Sequence, residues 1–367
     1  MINLNRIKSW YRLLEQKYVG NSLAHRIIKE LGDPEDYIGT ESDLWESVNY
    51  LDSEVIRILQ KDIDPPYWNR IVQYIETSPD FKFISFLDED YPDNLKAIFQ
   101  PPLFITALGN PEHLQSQNII SIVGTRKCTQ YGRYVTEKIV ASLVAANHIV
   151  CSGLALGIDS ISHRKTLELK GTTIAVLACG LDIVYPPQNR EIHRQICETG
   201  TVISENLPCL PFEKYHFPQR NRIIAALSKA ICVIEGSLQS GAMITAKFGV
   251  EQGKEIYALP GDIIRQESQG PNSLIKNGAN MILTPQDIVA DINIDYVGVS
   301  SVKKIELTEE EQKLYDILQE YAPDAHLDQL VVATGLSIGE LSSLLFLLEM
   351  KDAIRQTDSN RFAVNPL

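Results

Sequence analysis

Apolar and polar positions divide the chain into three stretches with different patterns. In the first 78 residues apolar side chains recur at helical spacing, as Trp10, Leu13 and Leu14 do. A second helical run at residues 22–31 ends at Gly32, the residue type that commonly follows a helix. Two shorter runs, residues 44–48 and 54–59, predict two more helices. This pattern predicts a helical domain over residues 1–78.

The middle of the chain changes to the pattern of a buried sheet. Residues 79–117 contain two short alternating apolar runs and proline-rich turns, and we expect an extended linker with short strands there. From residue 118, short apolar runs alternate with helical runs, which is typical of a mostly parallel sheet with helices on both faces. The predicted strands are residues 119–123, 148–152, 172–178, 201–204, 230–234, 255–259 and 279–283. We therefore predict an α/β fold with a Rossmann-like, doubly wound core over residues 118–292.

The last part of the chain returns to helical periodicity. Residues 293–307 are polar and predict a second linker. Thr308 and Glu311 then have the spacing of a capping box, which marks the start of a helix. Three helical runs and a short hairpin with a turn at residues 358–360 follow. Three helices and a two-stranded wing predict a winged helix over residues 308–367.

Charge is distributed unevenly over these segments. The chain has 34 basic and 47 acidic residues, a net charge of −13, which by itself speaks against a nucleic-acid partner. Residues 118–290, however, carry 17 basic and 14 acidic residues, whereas the segments on either side of them are acidic. The asymmetry therefore permits a site for a polyanion in the core.

Cysteine usage and hydropathy indicate the compartment. All six cysteines lie between residues 128 and 232, and none forms a CxxC pair, which disfavours a zinc knuckle or a dithiol redox site. Several lie in apolar runs, where a reduced thiol packs as a small apolar group. No secretory signal is visible, and no apolar run has the length of a membrane span. We expect a cytoplasmic protein with no membrane contact.

Three loops with glycine follow predicted strands, where the ligands of open α/β sheets bind. A helix follows each of them, and the free N–H groups at a helix start suit phosphate. The candidate binding residues in these loops are Gly124, Arg126, Lys127, Gly153, Ser240 and Gly241. The alternatives are a solvated basic loop around Arg126 and tight helix–strand packing around Gly241.

A further stretch, residues 214–224, combines cations with aromatic rings around the start of a helix predicted over residues 221–227. Its candidate residues are Lys214, Phe217, Arg220, Asn221 and Arg222. Proteins that bind single-stranded nucleic acid use cations to follow the phosphates and rings to stack on unpaired bases. The alternative is that Phe217 packs in the core while the arginines form structural ion pairs, and the residues alone leave both open.

The sequence shows no converging catalytic set. Cys128 beside Lys127 is the best candidate nucleophile, but no histidine partner is apparent. Asp159 and His163 are one helical turn apart, and no third ligand lies near them in the sequence, so we expect no metal and no cofactor. A nucleotide-binding, Rossmann-like enzyme that acts on a phosphorylated small molecule is the alternative to a binding protein.

Several motifs, in this order along nearly the whole chain, resemble those of the DNA-processing protein A family (DprA, also called Smf). They are Tyr91-Pro92, Pro101-Pro102, Gly124-Thr125-Arg126, residues 152–159, residues 217–225, Ser240-Gly241-Ala242, Pro260-Gly261 and residues 272–279. The resemblance implies a protein that is not an enzyme, binds single-stranded DNA in natural transformation and recombination, and helps load the RecA recombinase past single-strand-binding protein. It also implies a homodimer through the core and a sterile-alpha-motif-like N-terminal domain.

The resemblance also implies roles for individual residues. Carried over by motif, Phe217 would stack on a base or wedge against it, and phosphates would be bound by Arg126, Lys214 and Arg220. Arg222 and Asn221 are second choices for this pocket, and the resemblance implies that they hold the loop in place.

The predicted recognition helix of the winged helix, residues 338–350, lacks the composition of a helix that binds DNA. It contains Glu340 and Glu349 but no lysine or arginine, and residues 291–367 carry a net charge of −8. Attraction to phosphates is therefore unfavourable. We expect this module to contact protein or regulate the core rather than read duplex DNA, which also weakens a third hypothesis, a winged-helix transcription regulator.

Overall fold

The computed structural model describes residues 2–15, 19–292, 307–321, 324–351, 353–358 and 360–365. The chain divides into two compact units, Met1–Tyr296 and Val297–Leu367, and each is described by itself. The linker predicted at residues 293–307 lies outside the described residues except for its last one. The domain boundaries predicted after residues 78 and 117 both fall within the first unit and stay predictions.

The N-terminal part of the first unit is helical, as its periodicity predicts. Its helices are α1 (Leu4–Glu15), α2 (Asn21–Leu31), α3 (Ser53–Gln60) and α4 (Trp68–Thr77). Residues 44–48, predicted as a helix, instead belong to a short 3₁₀ turn, Asp43–Ser47. Arg6 ties this part to the next segment, because its guanidinium lies 2.7 Å from Asp33 and 2.6 Å from Asp88.

A nine-stranded sheet forms the centre of the first unit. Its strands are β1 (Lys82–Ser85), β2 (Phe104–Gly109), β3 (Ile119–Val123), β4 (Ile149–Ser152), β5 (Thr173–Leu177), β6 (Thr201–Ser204), β7 (Ala230–Val233), β8 (Glu255–Ala258) and β9 (Asn280–Met281). They lie in the order β1-β2-β6-β5-β4-β3-β7-β8-β9. Every neighbouring pair from β6 to β9 is parallel. The predicted Rossmann-like sheet is confirmed.

The short strands expected in residues 79–117 extend this sheet. Strand β2 pairs antiparallel with β6, with Thr106 opposite Ser204, and β1 pairs antiparallel with β2. Its central residues Ile105 and Ala107 are fully buried. Strand β2 is thus paired on both sides and contributes buried side chains to the core. The segment is therefore part of the sheet and does not merely connect two domains.

Helices cover both faces of the sheet. They are α5 (Asp93–Lys96), α6 (Gln130–Ala145), α7 (Ile158–Glu168), α8 (Arg190–Thr199), α9 (His216–Leu227), α10 (Gly241–Glu251), α11 (Gln266–Lys276) and α12 (Asp287–Ile292). In β3, Ile119 and Val123 pack in one apolar cluster, whereas Ile120 and Ile122 pack in another. This alternation places the two clusters on opposite faces, because successive strand side chains point in opposite directions.

Helix α9 begins at His216, earlier than the predicted start near residue 221. Pro218 does not prevent this, because proline fits the first turn of a helix, where the backbone N–H has no intrahelical partner. Phe217, Arg220 and Arg222 therefore lie on a helix and not on a loop. Their side chains point in directions that the helical geometry sets.

The second unit is a winged helix. Its helices are α13 (Glu309–Glu320), α14 (Leu327–Thr334) and α15 (Ile338–Met350), and its strands are β10 (Ala325–His326), β11 (Ile354–Asp358) and β12 (Arg361–Val364). The predicted capping box forms at Thr308 and Glu311. In the described part of the chain, no single helix has the length and hydropathy of a membrane span; only α14 and α15 taken together do, and they are bent by 109°.

Candidate nucleic-acid interface

The predicted binding loops meet at a cavity of about 410 Å³ at the carboxyl edge of the sheet. Strand β3 lies between β4 and β7, and the strand order runs in opposite directions on its two sides. Ligands of open α/β sheets bind at such a switch point. The predicted residues that line the cavity are Gly124, Arg126, Phe217, Arg220, Asn221, Ser240 and Gly241. The fold thus brings together residues separated by more than a hundred positions.

The loop that follows β3 is held by Glu235, a buried residue two positions after the end of β7. Its carboxylate accepts hydrogen bonds from the Thr129 backbone N–H at 2.8 Å and from the Thr129 hydroxyl at 2.5 Å. Its backbone oxygen accepts another from Thr125 N–H at 2.7 Å. Gly124 is needed for close packing, because a Cβ there would lie 2.5 Å from Cγ1 of Ile158. These contacts position the exposed Arg126 at the cavity.

Arg220 forms the floor of the cavity. Its side chain is buried, with 6% of the residue exposed, and its Nη1 donates to the Gly153 backbone oxygen at 2.8 Å and to that of Val176. A Cβ on Gly153 would lie 2.5 Å from Nη2, so this glycine makes room for the guanidinium. The geometry favours a supporting role for both residues over direct contact with a phosphate. Whether either one contacts DNA stays a prediction.

A buried carboxylate accompanies this buried cation. Asp159 Oδ2 accepts hydrogen bonds from the Gly153 N–H at 3.2 Å and the Ala155 N–H at 3.4 Å. Burial raises the pKa of Asp159, and the positive charge of Arg220 opposes that rise. Asn221 links the floor to the wall, because its Oδ1 accepts from Arg220 Nε and its Nδ2 donates to the Gly241 oxygen, both at 3.2 Å. The floor is thus a connected polar network.

Aromatic rings form one side of the cavity. The guanidinium carbon of Arg126 lies 5.8 Å from the centroid of the Phe217 ring, within the range of a cation–π contact. Phe217 also packs against Tyr185 and Phe212, with centroids 5.4 and 6.2 Å away. Phe217 is only partly buried, and 43% of Tyr185 is exposed. The rings therefore form a supported surface that solvent can reach.

The start of α10 supplies the remaining wall. Ser240 is its N-cap residue, yet its side chain makes no capping hydrogen bond. Its hydroxyl is buried and has no hydrogen-bond partner among the described residues. Gly241 is exposed, and a Cβ there would approach only Asn221 Nδ2, at 4.0 Å. The N-terminus of α10 and its unpaired Ser240 side chain therefore belong to the wall of the cavity, where backbone N–H groups suit a phosphate.

Four predicted residues lie outside the lining of this cavity, and one of them, Gly153, accepts a hydrogen bond from Arg220. Lys127 and Lys214 are exposed, and each neighbours a lining segment in sequence. Arg222 points elsewhere, because its Nη2 pairs with Glu205 and both side chains are largely buried. This ion pair is the structural alternative that the residue pattern left open. The two lysines stay candidates for phosphates next to the cavity.

The comparisons with known proteins agree with this fold. The model of the family described as DNA recombination-mediator protein A matches residues 82–293, and that of the DprA winged helix domain matches residues 301–360. The chain belongs to the DNA recombination-mediator protein A (DprA/Smf) family. Protein Smf of Synechocystis is similar to it, with 37% identity over 77% of this chain and 79% of the relative. The resemblance inferred from the motifs is confirmed.

Solved structures of DprA proteins extend the similarity. DprA from Streptococcus pneumoniae superimposes with a TM-score of 0.67 and 29% identity, covering 79% of this chain and 98% of that one. DNA processing protein A from Helicobacter pylori, described for its single-stranded DNA binding mode, superimposes with a TM-score of 0.54 and 28% identity. It covers 59% of this chain and 97% of that one. The predicted α/β fold with a helical N-terminal part and a winged helix is confirmed.

The other candidate groups of this DprA family member do not assemble into a reactive site. Burial raises the pKa of the Cys128 thiol, which makes it a weaker nucleophile at neutral pH. His163 is fully buried, with Nδ1 2.7 Å from the Thr173 hydroxyl, and burial together with Arg220 lowers its pKa to about 3. Within the described ranges, no group of three or more potential metal ligands occurs.

Two residues of this DprA site were not predicted from the sequence. Tyr185 lies 32 positions before Phe217, on a loop with no cation to mark it. Glu235 directly precedes Gly236. From the sequence alone, a single acidic residue after a strand is equally consistent with an exposed surface charge and with a buried residue that holds a loop. Only its burial and its hydrogen bonds to Thr125 and Thr129 reveal its function in the loop.

Proposed function

We propose that this protein binds single-stranded DNA at the 410 Å³ cavity. The observation that carries the proposal is the contact between the exposed Arg126 and Phe217 at the edge of a cavity whose floor is a buried polar network. A solvent-reachable ring beside an exposed guanidinium can take an unpaired base and its phosphate together. The similarity to the Helicobacter pylori protein, described for its single-stranded DNA binding, supports this.

The side chains divide into three roles in this proposal. Exposed cations bind phosphates, and these are Arg126, Lys127 and Lys214. The ring of Phe217, backed by Tyr185 and Phe212, stacks on a base. The remaining residues shape the cavity or offer backbone and hydroxyl groups, and these are Gly124, Gly153, Arg220, Asn221, Ser240 and Gly241. Arg222 is not part of this first cavity.

We also propose that the protein is a mediator and not an enzyme. Bound DNA would be passed to the RecA recombinase, past single-strand-binding protein, in natural transformation or general recombination in the cytoplasm. The family described as DNA recombination-mediator protein A supports this assignment. The ionisable groups of the cavity are engaged in its walls, as Asp159 and Arg220 are, which suits binding rather than proton transfer. A homodimer through the core belongs to the same proposal.

The winged helix is proposed to contact protein. Its helix α15 exposes Phe346 and Met350, and Glu340 and Glu349 of the same helix are also exposed. An apolar and acidic surface is unfavourable for the phosphates of duplex DNA. If the full-length protein loses duplex binding when residues 308–367 are deleted, this assignment is wrong.

The test is fluorescence anisotropy with oligo(dT) and with duplex DNA across a salt series. We expect preference for the single strand, and a dependence of log K on log salt with a slope of about −0.7 for each phosphate contact. Replacing Arg126 with alanine should reduce that slope by about 0.7, because one phosphate contact is lost.

The matched control is Arg164→Ala. Arg164 is exposed on α7 and lies outside the lining of the cavity. Arg164→Ala removes one positive charge, as Arg126→Ala does, so a general electrostatic effect would lower the DNA affinity of both variants equally. Equal affinity for single-stranded and duplex DNA, or equal losses for Arg126→Ala and Arg164→Ala, would contradict the proposal.

A further inference from the structure

A second, larger cavity of about 820 Å³ lies against α9. It is lined by Tyr215, His216, Gln219 and Arg222, whereas the first cavity is lined by Phe217, Pro218, Arg220, Asn221 and Ile224. Residues two positions apart on a helix differ by about 200° in direction. The two cavities therefore lie on nearly opposite sides of one helix, a short distance apart.

The second cavity has exposed aromatic rings. Phe99 is 86% exposed and Tyr215 is 53% exposed, and both belong to the cavity lining. Large exposed rings beside a concavity commonly mark a binding surface. Gln100, which follows Phe99, has a left-handed backbone with φ of 54°, a conformation that is strained for a residue with a side chain. Such strain is typical of functional segments.

The wall of this cavity offers both a donor and an acceptor. Arg222 Nη2 pairs with Glu205, and its Nη1 is buried without a hydrogen-bond partner among the described residues. Gln252 Nε2 donates to the Arg222 backbone oxygen at 3.2 Å, and its Oε1 also lacks a partner among them. Buried polar atoms are nearly always satisfied in proteins. The edge of a heterocyclic base carries matching acceptors and donors.

The charges of the lining select the kind of ligand. Arg222 and Lys254 are balanced by Glu205 and Glu251. Lys254 is also engaged, because its Nζ donates to the Ala226 oxygen at 3.0 Å. A wall with balanced charge does not favour a phosphate over water. It does favour a neutral planar group between apolar side chains.

We infer that the second cavity receives a base of the same DNA strand that occupies the first cavity. The inference rests on the proposed function, because the strand must be bound at Phe217 before it can cross α9. Phe99 and Tyr215 would stack on the base, and the edge of the base would face the wall that contains Arg222 and Gln252. One protomer therefore holds a strand at two places, one on each side of α9.

The experiment measures affinity against oligonucleotide length. Oligo(dT) from about 4 to about 16 nucleotides covers the site sizes of single-strand-binding folds. The variants are Phe99→Ala and Tyr215→Ala, with Tyr321→Ala, an exposed tyrosine of the second unit, as the control. All three residues are exposed, so their loss should leave the fold intact, which circular dichroism verifies. Thymidine monophosphate is the arm that tests for a free nucleotide.

The expected result separates short from long strands. Phe99→Ala should bind the shortest oligonucleotides as the unmodified protein does, and the longer ones about tenfold more weakly, since a base stack is lost. Unchanged affinity at every length overturns the inference and leaves the surface to a protein partner. Equal losses at all lengths overturn it too, because they would assign Phe99 to the first site. So does saturable binding of thymidine monophosphate that Phe99→Ala abolishes, without any length dependence.

The two proposals fail in different ways. If the unmodified protein binds no oligo(dT) of any length, the proposed function is wrong, and this inference is overturned with it. If the protein binds oligo(dT) through Arg126 and Phe217 but not through Phe99 or Tyr215, only the inference about the second cavity is overturned.

Discussion

Replacing Arg220 with alanine should destabilise the first unit more than it weakens any direct DNA contact. Arg220 Nη1 donates to the oxygens of Gly153 and Val176, and the guanidinium balances the buried carboxylate of Asp159. Its loss leaves two buried acceptors and one buried negative charge without compensation. Removing one partner from a buried charged pair costs about 3–5 kcal/mol of the free energy of unfolding.

The pH dependence gives this prediction a sign. Burial raises the pKa of Asp159, and without Arg220 that pKa rises further. A carboxyl whose pKa is higher in the folded state binds more protons there than in the unfolded chain, so stability falls as the pH rises. The fall should begin near the unfolded pKa of about 3.9 and end above the raised folded pKa. Arg220→Ala should therefore lose less stability in acid than at neutral pH.

The assay is urea unfolding of the full chain, followed by circular dichroism at several pH values. Asp159→Asn in the Arg220→Ala background should recover about 0.5–3 kcal/mol, because it removes the uncompensated charge. If Arg220→Ala unfolds at the same urea concentration as the unmodified protein while its DNA affinity falls, the guanidinium is a phosphate ligand and the structural reasoning is refuted.

Three further predictions follow from single contacts. Gly153→Ala should reduce the free energy of unfolding by about 1–3 kcal/mol, because its Cβ would lie 2.5 Å from Arg220 Nη2. The control Gly339→Ala should leave stability unchanged, because no atom lies within 4 Å of the added Cβ. Equal urea midpoints for the two variants would contradict this prediction. Phe217→Ala should weaken oligo(dT) binding by about 1–3 kcal/mol in anisotropy, and an unchanged Kd would exclude a stacking role. Hydrogen bonds from Lys351 and Thr308 hold the pKa of Glu311 below its usual value. The Lys351–Glu311 pair therefore stabilises the winged helix at a pH above the unfolded pKa of about 4.3, and this stabilisation is lost as the pH falls through the folded pKa. Calorimetry of Glu311→Gln should show a weaker acid dependence, and an unaltered one would count against the pair.

The element order was predictable because it depends on local patterns. Nearly continuous apolar runs such as β3 and β7 alternate with helical runs, and this pattern is typical of a parallel sheet covered on both faces. The capping box at Thr308 and Glu311 depends on a spacing of three residues, which the sequence shows directly. The strands of residues 79–117 were recognisable, whereas their position at the sheet edge was not, because pairing with β6 joins residues about a hundred positions apart.

The sequence by itself determined the layered α/β architecture, the winged helix and the segment that carries the cations and rings. Only the tertiary structure decided what each of those side chains does. Arg220 and Arg222 stand two positions apart and look equivalent in the sequence, but α9 begins before them and turns them about 200° apart. One lies beneath the first cavity with Gly153, and the other pairs with Glu205 beside the second. Their direction depends on where the helix begins and on which strands it packs against, and these are long-range properties of the fold.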